Sequence, residues 1–162
     1  MLGAMRPAVL PIGLRLTQVS RAVARAFDAA MAAAGGSLPI WLVLLNVKTR
    51  SLANQRELAE AMGIREATLT HHLNAMEASG LLTRRRDPAN RRIHVVALTD
   101  EGEQAFIRLR DAAIAFDAQL RLGVSDADTA TLSELLGRLA ANVGANDDDR
   151  APWAGFAEQD PH

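Results

Sequence analysis

The sequence predicts a mainly α-helical protein with one small β-wing, a minor α+β addition to a helical chain. Three observations carry that expectation. Apolar residues make up 49% of the 162 residues while aromatics make up only 4%, and the surplus is Ala and Leu, which favour helices. Most of the chain repeats its apolar residues three and four apart, the helical period. The stretch 81–98 breaks that period with two strand-like runs around an arginine-rich loop.

The elements follow in order. Residues 1–11 hold Pro7 and Pro11 and read as irregular. Ile12–Ala34 places Leu16, Val19, Val23, Phe27 and Met31 on one stripe, which makes a long amphipathic helix ended by Gly35 and Gly36. Ser37 is placed to cap the next helix, Leu38–Lys48, and Pro39 is tolerable in its first turn. That helix is apolar nearly all round and should be buried. Asn54 and Glu57 form an Asn version of the capping box ahead of a short helix, Gln55–Met62, with Leu58, Ala59 and Met62 inward. Gly63 and Ile64 make a tight turn. Arg65–Ser79 is a fourth helix that turns Leu69, Leu73 and Met76 inward. A period of 100° per residue then points Ala67, His71 and Asn74 outward, with Thr68, Thr70 and Ala75 on the flanks. Gly80 ends this helix, and the strands Leu81–Arg86 and Ile93–Leu98 flank the loop Asp87–Arg92. Thr99 can cap a fifth helix, Asp100–Leu122, whose Phe106, Leu109, Ala113, Phe116 and Leu120 form a coiled-coil-like seam. Ser125 with Asp128 caps a sixth helix reaching Val143, with Leu132, Leu135, Leu136 and Leu139 inside. Residues 144–162 read as an acidic tail that Trp153 and Phe156 could tether.

Net charge is −1, but its distribution is uneven: Arg84, Arg85, Arg86, Arg91 and Arg92 fall within nine residues that hold Asp87 as their one acid. A local cationic patch on a near-neutral chain suits phosphate contact. Cysteine is absent, which excludes disulfides, zinc–thiolate sites and thiol redox sensing. The four histidines include no His-x-x-x-His pair, so no metal site is expected, and no cofactor is implied. The longest apolar run, Leu38–Leu45, falls far below the ~20 residues of a membrane span. Arg6, Pro7, Pro11 and Arg15 interrupt the N-terminal apolar stretch and argue against a signal peptide. A soluble, cytoplasmic protein with no membrane partner is the expectation. His71 and His72 point about 100° apart on a helix, a poor geometry for joint chemistry, and no Gly-rich phosphate loop is present. The chain is therefore not expected to be an enzyme.

A helix-turn-helix followed by a basic ribbon suits duplex DNA. A helix fits the major groove, where base pairs differ in their donor and acceptor patterns, and arginines at a ribbon tip can enter the minor groove. The first half of the fourth helix carries Arg65, Thr68, Thr70 and His71, all able to hydrogen-bond bases or phosphates, and its N-terminus favours a phosphate.

The run from Gln55 to Phe106 resembles the winged helix-turn-helix of MarR-type transcriptional regulators. Its most specific part is Arg86-Asp87-Pro88-x-x-Arg91-Arg92, then a strand, then Leu98-Thr99-x-x-Gly102. With the flanking helices the resemblance covers residues 12–143. It implies a winged domain over 37–98, a helical dimerisation body from 12–36 and 99–143, and a homodimer that regulates transcription, read as a repressor on a pseudo-palindromic operator. It also implies base-reading roles for Thr68, Thr70 and His71 beside Asn74, and a minor-groove role for Arg92. Arg65, Arg84, Arg86 and Arg91 complete the DNA-binding set, the last three as phosphate partners. The family's wing carries Asp-x-Arg, and here the matching positions are Asn90 and Arg92, so either Asn90 or Asp87 braces the arginine. A small anionic or phenolic effector is implied between the body and the winged domain, with Arg15, Leu16, Trp41, Leu45 and His72 as its candidate lining. His72, nearer the inward stripe, also reads as a half-buried packing residue, and Trp41 as core. The competing reading is a winged-helix protein–protein interaction module without DNA binding.

Overall fold

The computed structural model describes residues 10–50, 54–86 and 94–144. The element order is α1 (Ile12–Ala33), α2 (Leu38–Arg50), α3 (Gln55–Met62), α4 (Glu66–Ala78), β1 (Leu82–Arg86), β2 (His94–Leu98), α5 (Asp100–Leu120) and α6 (Asp126–Asn142). Each expected element is present, and the ends shift by a residue or two for visible reasons. Arg65 has extended backbone and sits as the cap of α4 rather than in its first turn. α5 stops at Leu120 because Arg121 and Gly123, at φ 77°, turn the chain.

Local capping sets the frame. Asn54 accepts the Glu57 N–H at 2.9 Å, and Ser125 and Asp128 form a reciprocal capping box at the start of α6. Ser37 meets the Ile40 N–H only at 3.5 Å, a weak cap. Gly63, at φ 63°, ends α3 in a left-handed turn that L side chains rarely adopt, which permits the sharp reversal into α4.

The core gathers α2, α3, α4, β1 and the first half of α5 around Leu44, Leu58, Leu69, Leu73, Leu82 and Leu109. α2 is buried from Trp41 to Asn46, as its all-round apolar character requires, and Asn46 satisfies itself by donating to the Leu42 carbonyl at 2.8 Å. Trp41 stacks on Phe106 with ring centres 5.7 Å apart, and Phe27 of α1 meets Phe116 of α5 edge-on at 5.2 Å. Lys48 and Glu103, 2.7 Å apart, add an ion pair between α2 and α5.

The first half of the α5 seam is covered within the chain by α1 and α2, where Phe106 and Leu109 are buried, while Leu120 is half-exposed. One expectation needs correction. The α6 leucines do not face an interior of this chain. Leu132, Leu135 and Leu136 are 52%, 47% and 41% exposed, and α6 packs closely against no other described element. The helical period groups these leucines on one face, but a period cannot say whether the chain covers that face.

Candidate nucleic-acid interface

β1 and β2 form an antiparallel pair with Leu82 opposite Leu98, Arg84 opposite Val96 and Arg86 opposite His94. The pair is anchored at its base. Thr99 donates from its main-chain N–H to the Leu81 carbonyl at 3.2 Å and from its hydroxyl to the Gly80 carbonyl at 2.5 Å. The same hydroxyl accepts the Gly102 N–H at 3.1 Å and so caps α5. A Cβ at Gly102 would lie 1.9 Å from the Leu81 oxygen. The Leu98-Thr99-x-x-Gly102 motif is therefore the joint at which α5 presses against the root of the wing.

α4 presents its outer face to solvent. Leu69, Leu73 and Met76 are buried, and Ala67, Thr68, Thr70, His71 and Asn74 are exposed. The Thr70 hydroxyl donates back to the Glu66 carbonyl at 2.9 Å, which leaves its oxygen free only as an acceptor toward a partner. His71 lies edge-on to His72 at 5.9 Å. Arg65, exposed at the head of α4, makes no side-chain cap, and Glu66 in the first turn opposes the phosphate expected at that helix end.

The wing cations divide by their position along β1. Arg85 and Arg86 are exposed and form no ion pair among the described residues. Arg84 turns back onto α4. Its main-chain N–H donates to Glu77 Oε1 at 3.2 Å, its Nε and Nη2 donate to Glu77 Oε2 at 3.0 and 2.5 Å, and Nη2 also donates to Asn74 Oδ1 at 2.6 Å. With its side chain only 20% exposed, Arg84 braces β1 against α4 instead of standing free as a phosphate partner. Sequence reasoning grouped it with its neighbours because all are arginines. Glu77 was the missed signal: it lies one helical turn beyond Asn74 and within reach of β1. Asp87, Asn90, Arg91 and Arg92 lie outside the described residues.

Of the candidate effector residues, His72 lines a cavity that the other four do not line. This 290 Å³ cavity lies between the start of α2 and the second half of α4, lined by Ser37, Pro39, Ile40, His72, Ala75, Met76 and Ser79. His72 is half-buried there. Trp41 and Leu45 are core residues, 4% and 5% exposed, and Arg15 and Leu16 sit near the far end of α1. The cavity went unforeseen because α2 and α4 are joined only through folding, and most of its lining is small or apolar.

On α3, Arg56 is held above its ordinary pKa by its hydrogen bond to Glu60, with the charges of Glu60 and Glu66 adding to this. Among the described residues no cluster of His, Asp or Glu could hold a metal, and no single helix is long and apolar enough to cross a membrane.

The sequence profile of the MarR family matches residues 37–94, the span from the α2 cap into β2. Over those residues, which take in the whole helix-turn-helix, the chain is similar to the MarR family. It is a DNA-binding transcriptional regulator of the winged helix-turn-helix fold, in a family whose members work as dimers. An uncharacterised helix-turn-helix regulator of Bacillus subtilis, YdgJ, is 26% identical over 80% of this chain and 77% of its own length. A transcriptional regulatory protein for the hcr operon of Thauera aromatica is 29% identical over 79% of this chain and 78% of its own. Among solved structures, CouR of Rhodococcus jostii RHA1, bound to p-coumaroyl-CoA, superposes with a TM-score of 0.66 at 25% identity over 81% of this chain and 92% of its own.

Proposed function

We propose that this chain binds a pseudo-palindromic operator as a homodimer, represses transcription there, and is released by a small anionic or phenolic ligand. The observation that carries the reading is the exposed α4 face, with Thr68, His71 and Asn74, in the same motif as the exposed cations Arg85 and Arg86 of the wing. Thr68, Thr70 and His71 read base edges. Arg65, Arg85 and Arg86 neutralise phosphates, joined by Arg91, and Arg92 enters the minor groove. A single winged domain covers little DNA. Two of them, held about 34–36 Å apart, read both halves of an inverted site.

Residues 12–36 and 99–143 serve as the dimerisation body and 37–98 as the DNA-binding domain. The exposed α6 leucines support that division, since they need a second copy to cover them. The ligand reading draws on the cavity at His72, whose 290 Å³ is near the small end of the roughly 300–1,000 Å³ range of ligand pockets and suits one aromatic ring. It also draws on the relative CouR, which holds a phenolic acyl thioester. The chain acts without catalysis, in the cytoplasm.

Sequencing the DNA that co-purifies with the protein tests the proposal. A shared inverted repeat upstream of genes is the expected result. Recovery of DNA with no common sequence would refute operator recognition.

A further inference from the structure

We infer that Asn74 meets the duplex with its amide N–H groups alone, held that way by Arg84 and Glu77, and so selects guanine over adenine at one base pair in each half-site. The inference rests on the DNA-binding reading above. A guanidinium has donors and no acceptor. With Arg84 Nη2 only 2.6 Å from the Asn74 side chain, the amide must turn its oxygen toward the wing and its nitrogen away. The guanidinium cannot follow if the amide rotates, because three charge-assisted hydrogen bonds, two of them from the guanidinium itself, fix Arg84 to Glu77. Asn74 lies three residues beyond His71 on the exposed face of α4, and its Nδ2 has no partner among the described residues.

An asparagine that reads adenine donates to N7 and accepts from the N6 amino group, so it needs both ends of its amide on the base. Here the oxygen is committed to Arg84. An N–H group facing adenine meets one acceptor and one competing donor. Facing guanine, it meets N7 and O6, both acceptors. The brace between helix and wing thereby sets a base preference.

Selection from a pool of duplexes with a randomised site, followed by sequencing, tests this with the full-length protein and its variants. Wild type should enrich guanine at one position per half-site. Asn74→Ala should lose that preference by roughly ten-fold or more and keep the other positions. Arg84→Met should free the amide and admit adenine at the same position. Glu77→Gln, which keeps the side-chain shape and loosens the guanidinium, guards against a variant that fails to fold and should act in the same direction. The inference is overturned if Asn74→Ala changes no position or weakens all sequences alike, or if wild type requires adenine where Asn74→Ala acts. Continued refusal of adenine by both Arg84→Met and Glu77→Gln overturns the brace. A wild type that enriches no sequence overturns the DNA-binding reading itself, and this inference with it.

Discussion

Gly102 has one hydrogen where any other residue would drive a Cβ to 1.9 Å from the Leu81 carbonyl oxygen. The obstacle is backbone, so it cannot swing aside. Gly102→Ala should cost about 1–3 kcal/mol, in the range of overpacked cores, and should lower the urea midpoint. An unchanged midpoint would mean that α5 does not press on the wing root. Asn54→Ala removes the α3 cap and should cost about 1 kcal/mol in the same measurement. Residues with local partners were legible in the sequence: the caps at Asn54, Thr99 and Ser125 announce themselves by spacing. Arg84 was not, since its partner Glu77 lies seven residues away across a turn, and only the strand register decides which arginine faces the helix.

At the scale of elements, the exposed face of α4 and the exposed cations of β1 should contribute in different ways. Arg86→Ala removes a phosphate contact. It should weaken binding to all duplexes alike and reduce the magnitude of the log–log salt slope by about 1. Arg84→Ala should leave that slope nearly unchanged, because its charge is already matched by Glu77, and should instead loosen the wing. Equal slope changes in the two variants would contradict the division of the cations. The helical period gave the existence of α1 to α5 and the inward faces of α2 to α4, which bury their stripes within this chain, whereas Val19 of α1 and Leu120 of α5 stay exposed. It did not find the cavity between α2 and α4, since that space depends on how the two helices cross and not on either sequence alone.

For the whole molecule, the unanswered surface is apolar and is shared by α1, α5 and α6: Ile12, Leu14, Val19, Ile114, Leu120, Leu132, Leu135 and Leu136 are all exposed. Paired charges at that surface, Leu132→Glu with Leu136→Glu, should convert a dimer into a monomer in sedimentation and keep the helical content. A variant that still sediments as a dimer would place the interface elsewhere. The sequence pointed to this surface but not to its extent, because the chain's own α1 and α2 cover half of the α5 seam. The central claim is that two copies grip one duplex through α4 and a cationic wing. Titration of a labelled duplex at several salt concentrations, read by fluorescence anisotropy, tests it most directly. The account predicts saturation at two chains per site, with log affinity falling steeply and linearly with log salt, by about 0.9 for each phosphate neutralised. Saturation at one chain per site, or an affinity indifferent to salt, would contradict it.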